Sequence, residues 1–367
     1  MGQPYTFYAC FLLGMLFIGP FHAYLVDAFR RKQVYVCSFL SMLASMFCCV
    51  IFVDYAIPLM ALAALCGLSF GLATMAGITL AIDVTPSTLR STGNVRFAWS
   101  SLWGVVVGCG IGGLANFVSF IYFGKVGPLL VPAALTWIGI FFAAIIHVPF
   151  RAPLVTKVLS IDRFFLPRAW IPFVNILPIG FLVGIWAGDI SWIIGLPIAI
   201  LVGRSRFVRE HPIRFAAIGL SLPAVVFLVG FALSFMGLDV RTFDPQEIAS
   251  LYGYGSVRAW DWLSMRPASW NTIPVWAGIG LALPVFWLIF VKLSHHCQRG
   301  TANTTCLIAA LIGVLAGMSM PRQFPEFRHY TRYVFDFLPA ITAVVSLFAL
   351  LFFLFVTYPY YKRYRVR

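Results

Sequence analysis

The segment Ala23-Tyr24-Leu25-Val26-Asp27-Ala28-Phe29-Arg30-Arg31-Lys32 holds a carboxylate and a guanidinium four residues apart, with a lysine beside them. Residues at that spacing share one helical face, so Asp27 and Arg31 can pair and present a fixed charge pattern to a third element. The bland alternative is a charged helix end whose long side chains reach toward water. A second polar stretch, Asp83-Val84-Thr85-Pro86-Ser87-Thr88-Leu89-Arg90-Ser91-Thr92-Gly93, adds Asp83 and Arg90. Covalent chemistry has poorer material. Asp239, Asp244, Glu247 and Asp261 fall in one polar stretch without a catalytic motif, and His295, His296 and Cys297 are consecutive, so on a helix they point apart and do not converge on a metal. No catalytic residue, metal centre or cofactor is expected, and the chain does not read as an enzyme.

The elements that must position these groups are apolar. The 367 residues are 61% hydrophobic and 10% charged, with a mean hydropathy of +0.92. Soluble domains use about 25% charged residues. Runs near the ~20 residues that cross a bilayer as a helix recur throughout. Spans are predicted at 5–26, 33–53, 57–82, 97–121, 127–148, 170–188, 189–203, 214–237, 272–292, 303–320 and 336–358, eleven in all. They are too long and too uniformly apolar for barrel strands, so the fold class is an all-α membrane bundle.

The net charge of +14 would suit a nucleic-acid ligand if the charges shared a face. They lie between the spans instead. With Arg30, Arg31 and Lys32 cytoplasmic, alternate connections put 19 of the 26 Lys and Arg on that side and seven on the other. This is the positive-inside asymmetry, and it predicts an extracytoplasmic N-terminus, a cytoplasmic C-terminus and an inner-membrane location. No nucleic-acid partner is expected; the partners are the bilayer and a small solute, with the chain acting as a monomer. Of eight cysteines, six (Cys10, Cys37, Cys48, Cys49, Cys66, Cys109) fall in apolar spans, so no disulfide framework is implied.

The stretch 149–169 carries Arg151, Lys157, Asp162, Arg163 and Arg168 and reads as a cytoplasmic linker, separating an N-terminal half (1–148) from a C-terminal half (170–367). Within 238–271, Asp244-Pro245-Gln246-Glu247 suits a short helix start, and Trp260, Trp262 and Trp270 suit a membrane interface. Gly104-Val105-Val106-Val107-Gly108-Cys109-Gly110-Ile111-Gly112-Gly113 places Gly104, Gly108, Gly110, Gly112 and Gly113 at intervals that let helices approach closely.

Taken in order, these segments resemble the major facilitator superfamily. Leu25, Asp27, Arg31 and Lys32 match its G-x-L-A-D-R-x-G-R-K signature between helices two and three, while Ala23, Ala28 and Arg30 depart from it. The Asp83 to Gly93 stretch resembles the link between helices four and five. The glycine run resembles the helix-five G-x-x-x-G-P-x-x-G-G motif of antiporters and efflux members, with Cys109 in place of Pro.

The resemblance implies a conformational latch of Asp27, Arg31, Lys32, Asp83 and Arg90. In it the Asp27 carboxylate faces the start of a helix near Thr301 to Thr305 and stabilises an outward-open state. It also implies twelve helices, whereas five plus six are found, the first being the one not seen. Candidate cavity residues at mid-span depth are Thr74, Thr79, Trp99, Trp103, Asn116, Asn175, Trp186 and Trp276. The expected function is secondary transport of a small solute by alternating access, with efflux as one direction. The alternative is an inactive or accessory protein of the same fold. Proton coupling is left open, because no Lys, Glu or Arg stands inside a span and each Asp lies near a span end.

Overall fold

The computed structural model describes residues 4–17, 19–84, 121–146, 164–187, 191–205, 210–235, 272–295, 298–323 and 331–365, with scattered residues between them. Within these every regular element is helical: α1 (Pro4–Phe17), α2 (Gly19–Ala28), α3 (Arg31–Ile51), α4 (Ala56–Val84), α5 (Gly127–Ile145), α6 (Trp170–Ile185), α7 (Trp192–Arg204), α8 (Pro212–Phe235), α9 (Ile273–Leu293), α10 (Arg299–Gln323), α11 (Thr331–Phe352) and α12 (Tyr358–Tyr364). Seven helices are long and apolar enough to cross a membrane, or up to eight if α1 and α2 form one bent span, and Leu129–Ile145 and Trp192–Gly203 are shorter apolar helices. Large apolar side chains face outward along them, with Phe17 84%, Ile57 83% and Trp137 66% exposed. An apolar exterior on this scale suits lipid rather than water.

Each predicted span except 97–121, which lies largely outside the described residues, coincides with a helix, but three boundaries differ. The first span is broken. Pro20 has no N–H to donate back to Leu16, and α1 and α2 meet at a 51° bend next to Gly19. The tenth starts at Arg299 rather than 303, which brings Gly300 and Thr301 into its first turn. The last continues through a π turn at Phe353–Thr357 into α12. Internal prolines at 132, 178, 197, 223 and 284 stay helical, since a bilayer core offers the backbone no water to hydrogen-bond with instead.

The largest buried cluster draws on residues from Leu166 to Tyr361, centred on Phe286, Phe290 and Phe353. Two smaller ones, around Met46 and Cys66 and around Val26 and Met75, are built from residues before 137. Close approach is set by glycine. A Cβ on Gly14 would stand 2.0 Å from the Ala64 carbonyl oxygen, and one on Gly67 would stand 1.9 Å from that of Phe11, so α1 and α4 touch backbone to backbone. The same holds for α6 and α10 at Gly180, Gly184, Gly313 and Gly317, and for α8 and α9 at Gly219 and Gly278. The expected packing glycines behave differently. A Cβ on Gly108 would meet nothing within 4 Å among the described residues, and one on Gly112 would meet only Leu135 at 3.8 Å, an ordinary contact. Among the described residues no backbone presses on either position. Gly104, Gly110 and Gly113 lie outside the described residues, as do the linker from 149 to 163 and the stretch 236–271.

Candidate functional site

At the end of the bundle that carries Arg30 to Lys32, α2 packs against the start of α10. The first N–H groups of any helix lack partners within it, and α10 has no acidic residue in its own first turn. Asp27 supplies the missing acceptor from across the bundle. Its Oδ1 accepts from the Gly300 amide at 3.1 Å, and its Oδ2 accepts from the Thr301 amide and the Thr301 hydroxyl, each at 3.0 Å. The Arg31 guanidinium donates to Oδ1 at 3.3 Å, with both side chains at most 7% exposed. One carboxylate thus answers a helix dipole, two orphan amides, a hydroxyl and a cation.

Gly300 makes the fit possible. A Cβ there would stand 2.6 Å from Asp27 Oδ1, too near for any side chain unless the carboxylate moved. Arg31 heads α3 because Arg30, with φ −64° and ψ 114°, is extended and interrupts the helical run between α2 and α3. Lys32 turns away from this cluster and donates to the Ala144 carbonyl at 2.9 Å, at the open end of α5, where a cation complements the helix dipole. Asp83 lies in the last turn of α4, with its side chain outside the described residues, and Arg90 lies outside them entirely.

One turn further along α10 lies a second polar contact. Asn303, fully buried, donates to the Thr79 hydroxyl on α4 at 3.0 Å and accepts from the Trp287 indole on α9 at 2.8 Å. The Thr79 hydroxyl itself donates to the Met75 carbonyl at 2.7 Å. Sequence reasoning did not single out Asn303. Its signal was a carboxamide at the first residue of a predicted span in an otherwise apolar chain.

The candidate cavity residues are mostly packed. Asn175 donates from its amide nitrogen to the Ala349 carbonyl at 2.9 Å and accepts from the Thr357 hydroxyl at 3.1 Å, tying α6 to α11 and the π turn that follows it. Trp186 donates to Thr342 at 3.1 Å and stacks on Phe227. Trp276 is 7% exposed, with its Cβ against Gly195. Thr74, half-buried, bonds back to the Phe70 carbonyl at 2.8 Å. Thr79, Asn175 and Trp186 therefore each bond to a neighbouring helix, while the buried Trp276 indole nitrogen has no hydrogen-bond partner among the described residues. Trp99, Trp103 and Asn116 lie outside the described residues.

The sequence matches no known family model and no curated protein. Solved structures do resemble it. A bacterial homologue of the iron transporter ferroportin, in an outward-facing state, superposes with a TM-score of 0.63 over 96% of this chain and 90% of that one, at 13% identity. The E. coli fucose:proton symporter FucP gives 0.64 over 95% and 90% at 10% identity. The proton:xylose symporter XylE, of the major facilitator superfamily (MFS), gives 0.59 over 94% and 84% at 12%. The chain is a multi-pass, all-α membrane protein with the fold of the major facilitator superfamily.

Proposed function

We propose that this chain is a secondary transporter that moves a small solute across the cytoplasmic membrane by alternating access between two halves, residues 1–148 and 170–367. The observation that carries the reading is the Asp27 carboxylate seated on the first turn of α10. It is a contact between helices far apart in the chain, made of a few directional bonds. Such a contact breaks as a unit and re-forms as a unit, as a two-state element needs. With Arg30 to Lys32 on the cytoplasmic side, the closed contact seals that side and leaves the chain open outward.

The similar structures carry iron, fucose and xylose in their names, so the fold favours no one solute class. The test is uptake and release by proteoliposomes offered a panel of labelled metal ions, sugars and organic anions. A solute whose flux falls at least about tenfold in both Asp27→Asn and Arg31→Ala supports the reading, that factor corresponding to about 1.4 kcal/mol. Flux that is indifferent to both substitutions refutes the latch. No flux for any solute, with a single unchanging conformation, favours an accessory role.

A further inference from the structure

The last residues of the 149–169 stretch do more than lead into α6. Phe164 and Phe165 turn the chain, Leu166 is extended with φ −91° and ψ 100°, and Pro167–Ala169 make one 3₁₀ turn before Trp170. Pro167 accounts for the extended Leu166, because helical backbone is disfavoured in the residue before a proline. The Leu166 amide therefore joins no helix. Yet the residue is only 1% exposed, so its N–H needs an acceptor from another element.

That acceptor is the Thr305 hydroxyl on α10, 3.1 Å away. Thr305 donates its own proton to the Thr301 carbonyl one turn earlier, at 2.7 Å, which leaves its oxygen free to accept. Thr301 is the residue whose amide and hydroxyl hold Asp27. A continuous run of hydrogen bonds thus leads from Leu166 through Thr305 and Thr301 to the latch carboxylate.

The segment is fastened to the C-terminal half at several points. Leu166 and Ala169 belong to the buried cluster centred on Phe286, Phe290 and Phe353. The Phe165 ring packs edge-on against Phe173 of α6, with 5.5 Å between centroids. The Arg168 carbonyl accepts from the Tyr360 hydroxyl on α12 at 2.9 Å, and its guanidinium donates to His295 Nε2 at 3.3 Å. Phe164 points the other way. Its ring stacks on Tyr24 of α2, 5.9 Å between centroids and 20° between planes, and meets Phe21 edge-on at 5.8 Å. Both partners lie on the helix that carries Asp27. An arm fixed to one half therefore lays an aromatic side chain on the other, and α2 and α10 cannot part while both of its ends hold. Either Phe164 leaves Tyr24, or Leu166 leaves Thr305.

Resting on the alternating-access reading, we propose that Phe164 to Ala169 form a strap that clasps the closed cytoplasmic side beside the latch. Phe164 is its hook on the N-terminal half, and Thr305 is its fastening on α10. Parting the halves at Asp27 then requires release of the hook as well, so the end of the linker takes part in holding the outward-open state.

The experiment measures electron–electron distances in nanodiscs. The whole chain carries spin-labelled unnatural amino acids at the exposed positions Gln33 on α3 and Lys362 on α12, with every native cysteine in place. Phe164→Ala is expected to raise the ratio of long to short distances about tenfold, the scale of one or two aromatic pairs. Tyr24→Ala removes the same contact from the other side and should give a similar shift, so a Phe164 variant that does not fold leaves the hook testable. The double variant should go no more than about twofold beyond the larger single one, because residues acting through one contact are not additive. Thr305→Val unfastens Leu166 and should match Phe164→Ala, whereas Thr305→Ser keeps the hydroxyl and should match the parent. Shifts below about twofold in both Phe164→Ala and Tyr24→Ala, with Asp27→Asn still opening the seam, overturn the strap and leave the latch standing. Effects that multiply in the double variant overturn it too, since the two rings then act apart. If Asp27→Asn also leaves the distance unchanged, alternating access itself fails.

Discussion

Two kinds of seam hold this bundle together, and they are built from opposite materials. Where α1 meets α4, and where α6 meets α10, glycines let backbone rest on backbone, with carbonyl oxygens about 2 Å from where a Cβ would go. Such surfaces fit in one register or not at all. Where α2 meets the start of α10, contact is made by a carboxylate, two amides, a hydroxyl and a guanidinium. These bonds exchange with water and re-form. The glycine seams join helices on the same side of the 149–169 stretch, whereas the polar seam joins helices from opposite sides of it. Rigid units joined by a reversible contact are what a rocking mechanism requires.

The sharpest way to break that contrast is to place side chains in the glycine seams. Gly313→Val sets a Cβ 2.2 Å from the Leu177 carbonyl oxygen, an atom of the backbone that cannot rotate away. The cost is expected at about 3 kcal/mol or more, above the usual range for overpacking. Fluorescence-detected size exclusion should show loss of the monodisperse folded peak. Gly108→Ala, where nothing stands within 4 Å among the described residues, should elute and melt like the parent.

In the polar seam the effect should fall on conformation instead of folding. Asp27→Asn keeps the shape but turns the carboxylate's bonds to α10 into neutral ones and its ion pair with Arg31 into an ion–dipole contact, and it sets one amide N–H against another. We expect a loss of about 2–3 kcal/mol from the closed state, roughly 30- to 150-fold in its population. The folded yield should remain within about twofold of the parent, and the distance between spin labels placed at the exposed positions Gln33 on α3 and Lys362 on α12 reads the shift. Gly300→Ala should do the same more weakly, about 1–2 kcal/mol, because the carboxylate it crowds at 2.6 Å ends a rotatable side chain.

The difference between the seams also sets what could be read from sequence. Asp27 and Arg31 declare themselves, since charges four residues apart are rare in an apolar chain, and the need of α10 for an N-terminal acceptor is a property of any helix. The fold class follows from run lengths alone. Glycine seams are harder to locate, because the partner of a glycine is a stretch of backbone on another helix. Gly14 meets Ala64 and Gly67 meets Phe11, pairs that no spacing announces. Gly180 with Gly184 and Gly313 with Gly317 did carry the four-residue interval, yet the denser run at 104–113 drew the expectation. Polar residues at mid-span depth read as cavity lining, but Asn175 and Trp186 turned out to tie helices together. An isolated carboxamide in lipid is costly enough that a neighbouring helix claims it.

Lys32 offers the finest test of the contrast, because it belongs to the same signature as Asp27 yet serves a different contact. Its ammonium donates to the Ala144 carbonyl at 2.9 Å, so it caps α5 within the N-terminal half and does not touch α10. That bond lies at a solvent-facing end, where a cation near a helix C-terminus contributes about 0.3–1 kcal/mol and is screened by salt. Lys32→Met should therefore lower the melting midpoint slightly in low salt, with the difference shrinking at high salt. It should leave the distance between positions 33 and 362 as it is in the parent. A Lys32→Met variant that opens the seam as Asp27→Asn does would show that the signature acts as one charge cluster, and the division between rigid and reversible contacts would have to be redrawn around α5.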